Sequence, residues 1–152
     1  MKRKYLVIFL LLVLFTLTGC AISKKALNGD EIKNKVENMG IKVTDIKSSF
    51  SGMDHVLNAY RFGNSNYFVE YLEISDVEKA KIIFQNNKEK IDSNRNGVYT
   101  NNSTSGNNYE TYELISDGYY MYISRVDNTL IYADDKIEYE KEVKKLIEDL
   151  GY

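Results

Sequence analysis

Few side chains in this 152-residue chain are equipped for chemistry: there is one histidine, one cysteine and no tryptophan. His55 follows Asp54, a combination from which a general base with an orienting carboxylate can be made. Neighbours along a strand point to opposite faces, so adjacency alone does not join them. An active site would have to bring His55 to acids such as Asp54, Glu70 or Glu73 through the fold, and no serine-centred elbow or second histidine accompanies it. A second candidate is Asp92-Ser93-Asn94-Arg95-Asn96-Gly97, which matches the opening of a calcium loop with Asp92, Asn94 and Asn96 as oxygen ligands. The twelfth position, where a bidentate glutamate belongs, is Ser103, so a helix stop followed by an Asn-Gly turn is the stronger reading. The third is a crowd of tyrosines: Tyr109, Tyr112, Tyr119, Tyr120 and Tyr122. Exposed on one strand face, they would form a platform for a protein, peptide or glycan; half-buried, they would only express the β-propensity of tyrosine.

The single cysteine has a different context. Met1-Lys2-Arg3-Lys4 is followed by an apolar run from Leu6 to Phe15. That run is too short for a bilayer span, which needs roughly 20 residues, and suits a secretory signal. A lone cysteine in an exported chain cannot form an internal disulfide. Leu17-Thr18-Gly19-Cys20 resembles the lipobox of bacterial lipoproteins. The resemblance covers the first twenty residues and implies cleavage between Gly19 and Cys20, a diacylglyceryl group on the Cys20 sulfur, and attachment at the extracytoplasmic face of the cell membrane. Two acyl chains hold a protein on a membrane where one does so only marginally.

On that reading residues 1–19 are a signal peptide, residues 20–28 a lipidated tether and residues 29–152 one domain. Losing three cations with the signal leaves 17 basic against 22 acidic residues, a formal charge of −5. A mildly acidic domain with both signs interspersed is a poor partner for nucleic acid. Its expected partners are the membrane, through the anchor, and an envelope or secreted protein, peptide or glycan. No cofactor is expected beyond the lipid, with calcium as the minor alternative. The leading functional expectation is a lipid-anchored, non-enzymatic binding domain of the cell envelope; a small envelope enzyme built on His55 is the rival.

The elements that must position these residues follow from capping and periodicity. Asn28 with Glu31 is a capping box opening a helix over about residues 29–39, and Ser75 with Glu78 opens a second over about 76–91, its apolar face directed at the preceding hairpin. Asp135 with Glu138 caps a third, whose Tyr139, Val143, Leu146 and Leu150 recur at helical spacing; capping also accounts for the acidic Asp134-Asp135 pair. Strands are expected over 41–50, 56–62, 67–74, 109–116, 119–126 and 129–133, with Asp117-Gly118 a hairpin turn. The Asn-, Ser- and Thr-rich stretch 93–108 reads as a long polar loop. The expected class is α+β: an antiparallel sheet with helices on one face in the order α-βββ-α-βββ-α. The second half echoes the first, as a duplicated βββα unit or a shared supersecondary pattern would.

Overall fold

The computed structural model describes residues 23–152; Gly19 and Cys20 lie outside the described residues. An α+β architecture is present. Helix α1 (Gly29–Asn38) precedes strands β1 (Lys42–Asp45), β2 (Val56–Gly63) and β3 (Phe68–Ile74). Helix α2 (Val77–Asp92) leads to β4 (Tyr99–Ser105), β5 (Tyr109–Ser116), β6 (Tyr119–Val126), β7 (Thr129–Lys136) and helix α3 (Glu140–Leu150). All seven strands form one antiparallel sheet in the order β1-β2-β3-β7-β6-β5-β4.

The helices occupy both faces of this sheet, which corrects the one-face expectation. Ile32 and Val36 of α1 and Val143, Leu146, Ile147 and Leu150 of α3 pack with Phe62, Tyr71, Tyr120 and Ile131. Ala80, Phe84 and Ile91 of α2 pack on the opposite face with Leu114, Met121, Ile123 and Leu130. The cause lies in the central strands: β6 is buried from Tyr120 through Val126, so both of its faces require cover. Accordingly α2 lies chiefly across β6, not on the β2–β3 hairpin that precedes it.

The strand count also differs. Residues 99–105 of the polar stretch pair with β5 from Tyr99↔Ser116 to Ser105↔Glu110, making a fourth strand in the second half. Backbone hydrogen bonding builds it without any apolar face, so periodicity carries no sign of it. A duplicated βββα unit meeting through antiparallel β3 and β7 would place α2 and α3 on the same face; they lie on opposite ones, and the halves do not repeat.

Local chemistry explains the element ends. The Asn28–Glu31 box is formed as expected, Glu31 N donating to Asn28 Oδ1 at 3.0 Å and Asn28 N to Glu31 Oε2 at 3.1 Å. At α2 the cap is Asp76, one residue later than expected, accepting from Lys79 N at 3.0 Å. The Asp135–Glu138 cap is not made. Asp135 sits within β7 and accepts from Phe68 N at 3.3 Å, while α3 starts at Glu140 after a 3₁₀ turn. A bulge between Val56 and Asn58 turns Val56 to the face of Ala59, breaking the alternation expected for β2. Asp117 and Gly118 both hold positive φ, +51° and +78°, the geometry of a tight hairpin.

Candidate functional site

The tyrosines do not form an open platform. Tyr109, Tyr112, Tyr120 and Tyr122 are all at least nine-tenths buried, and only Tyr119 is exposed, at 48%. Alternation splits them: Tyr109, Tyr120 and Tyr122 join the core under α1 and α3, and Tyr112 joins the core under α2. Burial pushes the Tyr122 phenol up to about 12.

What the tyrosines do provide is the floor of a groove. The sheet extends past α3 by the width of β4 and β5, leaving a depression of about 330 Å³ lined by Tyr109, Tyr120, Tyr122 and Tyr152. Asn102, Thr104 and Thr111 form its outer wall, and Lys144, Ile147 and Glu148 of α3 its inner one. Lys144 reaches Glu113 at 3.2 Å and Glu140 at 2.7 Å and lies 5.1 Å from the Tyr120 ring centre. Burial works to lower the Lys144 pKa, yet those two carboxylates leave it raised overall. A second depression flanks β4 on the α2 face, where Asn101 and Ser103 face Lys88, Asp92 and Arg95.

β4 therefore stands between two grooves as an edge strand. All seven of its residues, Tyr99-Thr100-Asn101-Asn102-Ser103-Thr104-Ser105, are exposed and none is charged. Natural edge strands are ordinarily blunted by charge, proline, bulges or brevity. The opposite edge follows that rule, since β1 has only four residues and carries Lys42 and Asp45 at its ends. β4 has no such protection and offers a row of backbone donors and acceptors. Its sequence held two usable signals, the Tyr99-Thr100 β-formers and the turn residues Gly106-Asn107-Asn108, but neither stood out in so polar a stretch.

The Asp92 loop is stitched down as a turn. Asp92 Oδ1 is bonded by Tyr112 Oη and by the Arg95 guanidinium. Asn94 donates from Nδ2 to Met121 Sδ at 3.4 Å, and Ser116 Oγ takes the Asn96 amide at 2.9 Å. The side chains of Asp92 and Asn94 thus serve separate partners and do not converge on one point. Among the described residues no group of three or more His, Cys, Asp or Glu side chains stands in metal-binding geometry.

His55 lies in the turn before β2, where its carbonyl accepts from Ser75 N at 2.8 Å. Glu70 pairs with Arg61 at 2.6 Å, and Glu73 is held by Gly29 N at 2.9 Å and Asn58 Nδ2 at 2.7 Å. Three positions apart on one strand, these glutamates fall on opposite faces, so the acids proposed to join His55 are not gathered around it.

A last feature concerns how the chain enters the domain. Lys24 N donates to Asn108 Oδ1 at 3.0 Å, and Asn108 Nδ2 returns a bond to Lys24 O at 2.8 Å. Leu27 is buried, its carbonyl taking the Tyr71 hydroxyl at 2.6 Å. Ordered packing therefore begins before residue 29, inside the stretch 20–28 expected to be tether. No helix among the described residues is long and apolar enough to cross a membrane. The chain matches no known family, and comparison with characterised proteins and with solved structures likewise finds no match.

Proposed function

We propose that the protein is a lipoprotein of the bacterial cell envelope, anchored through Cys20 at the extracytoplasmic face, that binds an extended peptide segment of an envelope or secreted protein by strand addition to β4. The observation that carries the binding reading is the unprotected seven-residue edge between two grooves. Strand addition uses backbone hydrogen bonds for affinity and alternate side-chain pockets for specificity. Here Asn102 and Thr104 border the tyrosine-floored groove, and Asn101 and Ser103 border the α2 groove. Successive side chains of an added strand would lie alternately beside the β4 residues that wall the two grooves. The anchor reading rests on the basic start, the short apolar run and Leu17-Thr18-Gly19-Cys20.

Two measurements test the pair of claims. Intact mass of membrane-extracted protein should show a chain beginning at Cys20 with added acyl mass, absent from Cys20→Ala. Extended peptides selected on the domain should slow amide hydrogen exchange along β4, and Asn102→Lys with Ser103→Lys should weaken their binding at least about tenfold. Peptides that bind while leaving β4 exchange unchanged would refute strand addition.

A further inference from the structure

We infer that the domain stands on the membrane in one orientation, with the end of the sheet formed by the 106–108 and 127–128 turns facing the lipid headgroups. This deepens the proposed anchoring through Cys20 and rests on it. The chain is fixed at Lys24, whose backbone is held on both sides by the Asn108 carboxamide. Asn108 is itself immobilised: its Nδ2 also donates to Asp127 Oδ2 at 2.8 Å, and its carbonyl accepts from Asp127 N at 2.8 Å and from Arg125 Nη1 at 3.3 Å. The Arg125 side chain is almost wholly buried, so the half-buried clamp at Lys24 and Asn108 is backed by an interior residue.

From Cys20 to Lys24 is four residues, which span at most about 14 Å when fully extended. The strands between this end of the sheet and the other are eight residues long in β5, β6 and β7, or about 27 Å. A leash of about 14 Å cannot reach around a body of about 27 Å. An acyl group on Cys20 therefore keeps the Lys24 end at the bilayer and the 64–66 and 117–118 turns away from it. The surface presented to the headgroups contains Lys24, Asn108, Asp127 and Asn128, polar and of mixed charge, as suits a hydrated interface rather than an inserted one.

The consequence for recognition is geometric. β4 runs from Tyr99 at the far end to Ser105 at the membrane end, antiparallel to β5 in full register. Its open edge is thus presented sideways, along the membrane normal, and an added strand would point toward or away from the bilayer. The tyrosine-floored groove includes Lys24 among its lining residues and so has one end beside the membrane.

The test exploits the absence of any other cysteine. With Cys20 blocked by its lipid, Ser105→Cys and Val98→Cys place a single reactive thiol at either end of β4; Val98 is 98% exposed and Ser105 is also exposed. The membrane-extracted protein, labelled with a fluorophore and reconstituted in vesicles of phosphatidylglycerol and phosphatidylethanolamine, is quenched with headgroup-spin-labelled lipid. Quenching at position 105 should exceed that at position 98 at least about threefold. Inserting ten Gly/Ser residues between Ile22 and Ser23 lengthens the reach by about 35 Å and should erase the contrast. Equal quenching in the native tether, or a contrast that survives the insertion, overturns the orientation. A protein whose mass shows no acyl group and which does not partition into vesicles overturns the anchoring itself, and the orientation with it.

Discussion

Removing one hydroxyl should loosen the clamp through which the chain enters its domain. Tyr71 is completely buried, and its hydroxyl donates to the carbonyl of Leu27 at 2.6 Å. In the same core cluster as Leu27 and Tyr71, the Tyr152 hydroxyl lies 2.5 Å from Thr129 Oγ1. Leu27 is held at its carbonyl by a side chain from the middle of the chain. Tyr71→Phe keeps the ring and its packing and deletes only the donor. The net hydrogen bond contributes about 1 kcal/mol, and an acceptor left buried without a partner costs about 1–3 kcal/mol. Leu27 retains slight exposure, at 9%, so water can recover part of that cost, and a loss of about 2 kcal/mol follows.

For a domain of about 130 residues the unfolding entropy near the midpoint is about 0.27 kcal/mol per kelvin, so Tm should fall by about 7 °C. Urea unfolding of the chain from Ala21 onward, wild type against Tyr71→Phe, measures it directly. Hydrogen exchange adds a local readout: amides of residues 24–27 should open more often than those of β6. A change below about 0.5 kcal/mol, or accelerated exchange spread evenly over the sheet, would refute the clamp. The double variant Tyr71→Phe, Tyr152→Phe should depart from additivity by at least about 0.5 kcal/mol, because both tyrosines pack in one buried cluster.

Three further outcomes are expected. Arg125 donates to Glu110 at 3.1 Å, Asn108 O at 3.3 Å and Asp127 O at 2.9 Å, and a lysine has no planar fork to reach all three; Arg125→Lys should cost about 2 kcal/mol in urea unfolding. Asp135 is buried with Oδ2 unpartnered, and desolvation raises its pKa. The folded state then holds a proton that the unfolded state releases, so this contribution is present below the ordinary carboxyl range and lost as pH rises. Stability should decline from pH 4 toward neutrality, and Asp135→Asn should flatten that decline; an unchanged slope counts against the assignment. Burial lifts the Tyr122 and Tyr152 phenols to about 12, so their contribution is complete below pH 10 and lost through pH 12, and alkaline unfolding followed by circular dichroism should fall in that window.

Which parts of this fold could be read in advance depended on whether a residue's choice was settled locally. The Asn28–Glu31 box needs only four residues of chain, and Asp117-Gly118 needs only two; both formed where expected. Asp135 and Glu138 satisfy the same local pattern as Asn28 and Glu31, yet β7 continued through Asp135 because pairing with Tyr120 on β6 extended the ladder. Strand pairing is a long-range decision that a capping signal cannot anticipate. The side on which each helix lies was equally hidden. It was settled by Met121 and Ile123 against Tyr120 and Tyr122, all apolar or aromatic, a run that reads as one aromatic strand although each alternate residue demands its own cover.

The candidate site was the least legible part for the same reason. The tyrosines are the most conspicuous residues of the chain, and conspicuous β-formers are the ones a core consumes. The β4 edge consists of residues with little reason to be buried, held in a strand chiefly by the backbone of β5, with side-chain bonds such as Asn101 Nδ2 to Tyr112 Oη at 3.3 Å. An edge that contributes no core and carries no blunting charge gives little to folding, while a strand so exposed invites pairing. β6 and β7 are largely buried whereas every β4 residue is exposed, so β4 can open, bind or change in sequence without uncovering the core. Loss of β4 pairing should therefore leave global stability nearly intact while abolishing peptide capture. That separation is not expected of any surface built on the tyrosine core.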